Sequence, residues 1–198
     1  QIADTEKEIE RLKEALLGYA AANGYLPCPD VMTGAGANDG IEDVSGSGSC
    51  NADEGNFPWV TMGIGNADAW NNRYRYHVDG SFSARAPALT FSLTSGASLR
   101  VWTSAAHTTA LTSSDPNGAV AVVLSHGKNG KGAMSAFTDA TNAPAESADE
   151  LENTDGTVSF VSRPPSAADS AAGEFDDVVS WLSRFTLYNR MVSAGRLP

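Results

Sequence analysis

What this chain of 198 residues lacks narrows its options first. No apolar run approaches the roughly 20 residues a membrane-spanning helix needs; the longest, Ala119 to Leu124, has six. Positive charge is also scarce, with 13 Lys and Arg against 24 Asp and Glu for a formal net charge of −11. A field of that sign repels polyanions, so no nucleic acid is expected as a partner. The histidines number three, at 77, 107 and 126, and no His, Cys and carboxylate set has zinc-site spacing. Cysteine is down to Cys28 and Cys50, neither in a CxxC pair. Two cysteines separated by a Gly-, Ser- and Asp-rich segment read as a disulfide, which implies an oxidising compartment. The sequence opens on Gln1 without a Met or a signal peptide, so for an exported domain we expect an upstream segment to have been removed.

What is present suits one folded domain spanning 1–198. The hydrophobic share of 41% with 19% charged residues excludes wholesale disorder, and no shift in composition marks a linker. Ile2, Ile9, Leu12, Leu16 and Tyr19 form the stripe of an amphipathic helix over about 3–22, with Glu6, Lys7, Glu8, Glu10, Arg11, Lys13 and Glu14 on its other faces. Thr5 and Glu8 fit a capping box, or equally the interior of a longer rod. Asn23-Gly24 supplies a left-handed stop, and Pro27 and Pro29 forbid continuation.

From Glu14 to Asn72 there is no Lys or Arg, while Asp30, Asp39, Glu42, Asp43, Asp53, Glu54 and Asp68 accumulate among glycines. Residues 24–72 therefore read as a long acidic loop that regular pairing does not hold, stapled by Cys28 and Cys50. Residues 73–198 read as a β-rich head. Alternation predicts a strand over 73–79 and a turn at Asp79-Gly80, with further strands over 89–93, 99–104, 119–125 and 157–162. Their short connections favour antiparallel pairing. Residues 135–156 read as a polar surface excursion, and the C-terminus as a strand over 177–183 followed by a short helix. The implied class is α+β: an N-terminal amphipathic α-helix packed through Ile9, Leu12, Leu16 and Tyr19 on an antiparallel β-sheet, with a disulfide-stapled loop between them.

Signals for chemistry are weak. Ser125-His126 with Asp139 sketches a nucleophile, base and orienter, but there is no nucleophile elbow, so packing at a strand end is the expected role. "GKNGKG" at 127–132 lacks the order of a phosphate loop. No catalytic residue, resident cofactor or metal is expected. The one exception weighed is Ca²⁺ held by oxygens of Asp30, Asp39, Glu42 and Asp43, against which stands the absence of EF-hand spacing. Trp59, Trp70, Trp102 and Trp181 read as core and loop anchors.

The order of helix, "LPCPD", a second Cys, "GNFPWVTMGIGNADAWNNRYRY", "VVLSHGKNG" and "FDDVVSWLS" through "RMVSAGRLP" resembles the minor pilins and pseudopilins of type IV pilus and type II secretion machines, over nearly the whole chain. The resemblance implies a non-enzymatic subunit of a periplasmic filament or cell-surface pilus. Its partners are other pilins or pseudopilins and the inner membrane, reached through an upstream apolar segment. A pilus-tip adhesin or substrate-recognition subunit is the alternative, with the acidic loop or the 135–156 excursion as its contact surface.

Overall fold

The computed structural model describes residues 1–85 and 91–197. It begins with α1 (Ile2–Asn23) and continues through β1 (Glu54–Asn56), α2 (Trp59–Met62), β2 (Arg75–Val78), β3 (Arg100–Trp102) and β4 (Ala119–Ser125). The remaining elements are α3 (Ala148–Glu152), β5 (Ser159–Val161), β6 (Val178–Ser183) and α4 (Arg184–Ser193). Four strands form an antiparallel sheet in the order β1-β2-β4-β6, and β3 pairs with β5 in a separate two-stranded sheet.

α1 lies on one face of the large sheet because its apolar stripe has nowhere else to leave water. Ile9, Leu12, Leu16, Leu17 and Ala20 are buried with Tyr74, Tyr76, Val78, Ala121, Val123 and Leu182. The opposite face carries Leu99, Val101, Val122, Leu124 and Phe160, so β4 is covered on both sides. That explains its unbroken apolar run, where a strand with one solvated face would alternate. Thr5 is buried inside the helix, so the longer-rod alternative is the one adopted and no capping box forms. Ile2, the first member of the expected stripe, is exposed. The helix stops at Gly24, whose φ of 90° lies in the left-handed region that glycine enters without steric cost.

Beyond the stop, the chain folds back as a strap. The Leu26 amide donates to Phe82 O at 2.8 Å, and the Tyr76 hydroxyl donates to Pro27 O at 3.0 Å. Cys28 is bonded to Cys50, closing the segment with their Cα atoms 5.2 Å apart. The expected irregular loop nevertheless contains regular pairing: β1 forms within it, and α2 follows. Asp30 and Asn56 exchange backbone bonds of 3.0 and 2.8 Å, extending the sheet edge into the strap. Gly55 permits this, since a Cβ there would lie 2.3 Å from Asp30 O.

The strand expected over 73–79 is Arg75–Val78, with β1 and β4 as its neighbours. Asp79-Gly80 does not open a hairpin: Asp79 caps a 3₁₀ turn over Gly80–Phe82 by accepting from the Ser81 amide. The strand expected over 89–93 lies partly outside the described residues. Phe91 to Leu93 form no strand, and Phe91 packs against Phe82 with ring centroids 5.0 Å apart. The strand predicted over 119–125 is β4. Those expected over 99–104 and 157–162 shorten to β3 and β5, and their pairing is parallel rather than antiparallel. The reason is topological, because the chain passes through β4 and α3 between them and such a crossover delivers parallel strands. The polar excursion over 135–156 contains α3, and the C-terminus adopts the strand-then-helix reading as β6 and α4. Among the described residues, no helix is long and apolar enough to cross a membrane.

Candidate functional site

The acidic loop is organised around its own backbone. Glu42 accepts from the Tyr19 hydroxyl at 2.9 Å and the Cys28 amide at 3.0 Å, and forms an ion pair with Arg85. Asp43 accepts from the Val31 amide at 2.8 Å, Asp39 from the Ile41 amide at 2.8 Å, and Asp30 from the Gly40 amide at 3.1 Å. Burial, with added repulsion from Asp39 and Asp43, pushes the Asp30 carboxyl up to about 6. Of the four carboxylates considered for Ca²⁺, Asp30, Glu42 and Asp43 thus join loop segments, and Asp39 holds a local turn. Tyr19 serves this loop rather than the sheet: it is half-buried, bonded to Glu42 and edge-on to Tyr25. Residue spacing alone put it on the sheet-facing stripe, whereas Leu17 and Ala20 complete that stripe.

The sketched Ser125, His126 and Asp139 group is not assembled. Ser125 and His126 are both 0% exposed. The Ser125 hydroxyl donates to Asp68 Oδ2 at 2.5 Å, while Asp139 pairs with Arg73. Adjacent residues at a strand end project to opposite sides, so the serine and the histidine enter different environments.

His126 instead belongs to a polar seam that sequence alone did not reveal. Arg75 on β2 donates through Nη1 to Glu54 Oε1 at 2.8 Å and through Nε to His126 Nε2 at 3.3 Å. His77 Nδ1 lies 3.6 Å from Glu54 Oε2, and His126 Nδ1 lies 3.6 Å from Asp177 Oδ1. Burial disfavours the Glu54 charge, yet contact with His77 and the Arg75 charge together hold its carboxyl below the ordinary value. Because Nε2 of His126 accepts, its proton sits on Nδ1, facing Asp177. The alternation in "RYRYHV" places Arg73, Arg75 and His77 on one face of the strand, and that face is buried. They are buried because the 127–142 segment covers that face: Gly132 O accepts from Arg75 Nη2 at 3.3 Å, and Asn142 Nδ2 donates to Asn72 Oδ1 at 3.0 Å.

The seam ends in a second acidic group. Among the described residues, Glu150, Asp176 and Asp177 are the three acidic side chains that converge, with one oxygen from each within 4.8 Å of the others. Glu150 Oε1 accepts from Asn129 Nδ2 at 3.0 Å and from the Asp176 amide at 3.2 Å. Asp176 Oδ2 accepts from the Asn129 amide at 2.8 Å, and Asp177 Oδ2 from Asn153 Nδ2 at 2.7 Å. Burial and the neighbouring Asp177 charge push Glu150 up to about 7, and burial also raises Asp176. These residues come from the turn after β4, from α3 and from the entry to β6, three places far apart in sequence.

The arrangement binds elements together, and at Ser125 the hydroxyl is held by Asp68 rather than by His126. No protein-family model matches the chain, and no curated protein or solved structure is significantly similar to it.

Proposed function

We propose that this chain is a structural subunit, a minor pilin or pseudopilin, of a type IV pilus or type II secretion filament, and that it assembles through α1. The observation carrying this reading is the two-sided helix. One face of α1 is sealed into the core through Ile9, Leu12, Leu16 and Leu17, while Glu6, Lys7, Glu10 and Arg11 remain exposed along the other. A charged rod face fixed rigidly to a loop-rich head suits end-to-end stacking with like subunits. The Cys28 to Cys50 bond supports residence in an oxidising compartment such as the periplasm. In this reading an upstream apolar segment roots the subunit in the inner membrane, other pilins or pseudopilins are its partners, and it performs no catalysis.

The test is complementation of a deletion strain with the full-length gene and with a version lacking everything upstream of Gln1. Filaments, or secretion through the machine, return only with the full-length gene. Normal filaments from the truncated gene sink the proposal, as does a hydrolytic activity of the purified domain that Ser125→Ala abolishes.

One observation favours the second reading, a tip adhesin or substrate-recognition subunit: Phe137, on the polar excursion, is 90% exposed. A lone aromatic in water at a loop tip is an anchor of the kind binding surfaces use. Phe137→Ser separates the two, since it abolishes adhesion or substrate capture under the second reading and leaves filament assembly intact under both.

A further inference from the structure

We propose that Glu150 keeps a proton up to about neutral pH, shared with the carboxylates of Asp176 and Asp177, and that losing this proton unlatches α3 and the 127–132 turn from the entry to β6. The cluster is built for it. Glu150 is 1% exposed, and its Oε2 has no hydrogen-bond partner among the described residues. Asp176 Oδ1 and Asp177 Oδ1 are likewise buried and unpartnered. The other oxygen of each carboxylate already accepts from Asn129, Asn153 or a backbone amide.

Three anions packed this closely repel one another, and like-charged carboxylates in one site retain a proton between them. The three carboxylates also lie close enough to share a cation instead of a proton, and melts with and without Ca²⁺ separate the two. His126 Nδ1 lies 3.6 Å from Asp177 Oδ1, too far for a hydrogen bond, and leaves that oxygen unpartnered. A single proton on Glu150 Oε2 turns one of the three acceptors into a donor and removes one negative charge. The charged groups facing it are Asp176 and Asp177 at the β6 entry, with the His126 ring after β4 beside Asp177. Arg75 lies behind His126, and Glu174 adds repulsion on Asp176. The raised carboxyl of Glu150 agrees with this.

The sign follows from linkage. An unfolded Glu titrates near 4.3, and the folded one at about 7. The stability this proton contributes is present in full below the unfolded value and is lost as pH rises through the folded one. Above about 7 the proton passes to water, and the turn, α3 and β6 entry repel.

The test compares unfolding of the full chain and of Glu150→Gln from about pH 5 to pH 8.5 in chelator. Glutamine keeps the Oε1 acceptor and places a neutral donor at Oε2. The ratio of folding constants, variant over parent, rises about tenfold per pH unit up to about 7 and levels off above it. A flat ratio overturns the proposal. Carboxyl-carbon NMR of the unmodified chain gives one Glu titrating near 7, and this decides the matter even where the variant does not fold. A midpoint below about 5 for every Glu overturns it. Repeating the melts with millimolar Ca²⁺ leaves the parent curve unchanged; a calcium-dependent rise that Glu150→Gln abolishes identifies a cation as the occupant and overturns the shared proton.

Discussion

Replacing both cysteines with serine tests how the region between α1 and β2 is held. The bond joins positions separated by 22 residues. In the chain-entropy treatment, closing a loop of that length in the unfolded state stabilises the fold by about 3 kcal/mol. The folded structure limits how much of this reappears as local disorder when the bond is absent. Glu42 still ties Tyr19, the Cys28 amide and Arg85, and Asp30 still pairs with Asn56. The loss is therefore global stability rather than a melted loop. For a chain of this size, about 3 kcal/mol corresponds to a fall in Tm of roughly 6–12 °C. The assay is thermal unfolding of the parent with and without reductant beside Cys28→Ser/Cys50→Ser, with alkylation and mass spectrometry to count thiols. A double variant that melts within about a degree of the oxidised parent refutes the reasoning, as does finding two free thiols in protein made in an oxidising compartment.

Other outcomes follow from single groups. Leu12→Ala opens a cavity where α1 meets the sheet, because Leu12 is fully buried, and costs about 2–5 kcal/mol in denaturant unfolding; a smaller loss shows that the helix does not rest on the sheet through this residue. Ser125→Ala deprives Asp68 of its 2.5 Å donor, which destabilises by about 1–3 kcal/mol and changes no ester or amide hydrolysis rate. Asp30→Asn removes a carboxyl raised to about 6. The parent loses that stability as pH climbs from about 4 through 6, so the variant gains on the parent across this window and holds its lead above it; a constant difference at all pH values sinks the assignment.

The parts of the fold that sequence revealed are those written in short-range chemistry. α1 was legible because its stripe repeats over five turns and Asn23-Gly24 ends it. β4 was legible as an apolar run, and the strand-then-helix reading placed the end of β6, where Ser183 caps the next helix by accepting from the Thr186 amide at 3.1 Å. β1 was not: three residues, Glu54–Asn56, carry no periodicity, and they become a strand only because β2 and the strap flank them. The parallel pairing of β3 with β5 depends on what the chain does between them, which local propensity does not encode. The polar seam was hidden for the same reason. Arg73, Arg75 and His77 alternate like solvent-facing residues, and nothing nearby in sequence announces that residues 127–142 will cover them. Asp176-Asp177 was visible as a pair, but Glu150 joins it from α3, which looked like open loop.

The fastening of α1 is uneven along its length. Its first turn has little to hold it apart from the buried Thr5: Ile2 is exposed, and Gln1 reaches Ala69 O only at 3.5 Å. From Ile9 onward the stripe enters the core, and Lys13 Nζ donates to Ser180 Oγ at 2.9 Å. Towards the C-terminal end Arg190 pairs with Glu14 at 2.7 Å, and Arg196 donates to the Ala21 and Ala22 carbonyls, which lack helical partners of their own. Under the proposed filament role, tension along α1 would pass to the rest of the domain chiefly through its later turns. Amide hydrogen exchange along α1 measures this directly, since opening free energies follow buried contact and fixed backbone bonds. Protection is expected to rise from residues 2–6 to a plateau over 12–20. Uniform protection along the helix would mean that the head grips the rod over its whole length, and the uneven fastening would have no basis.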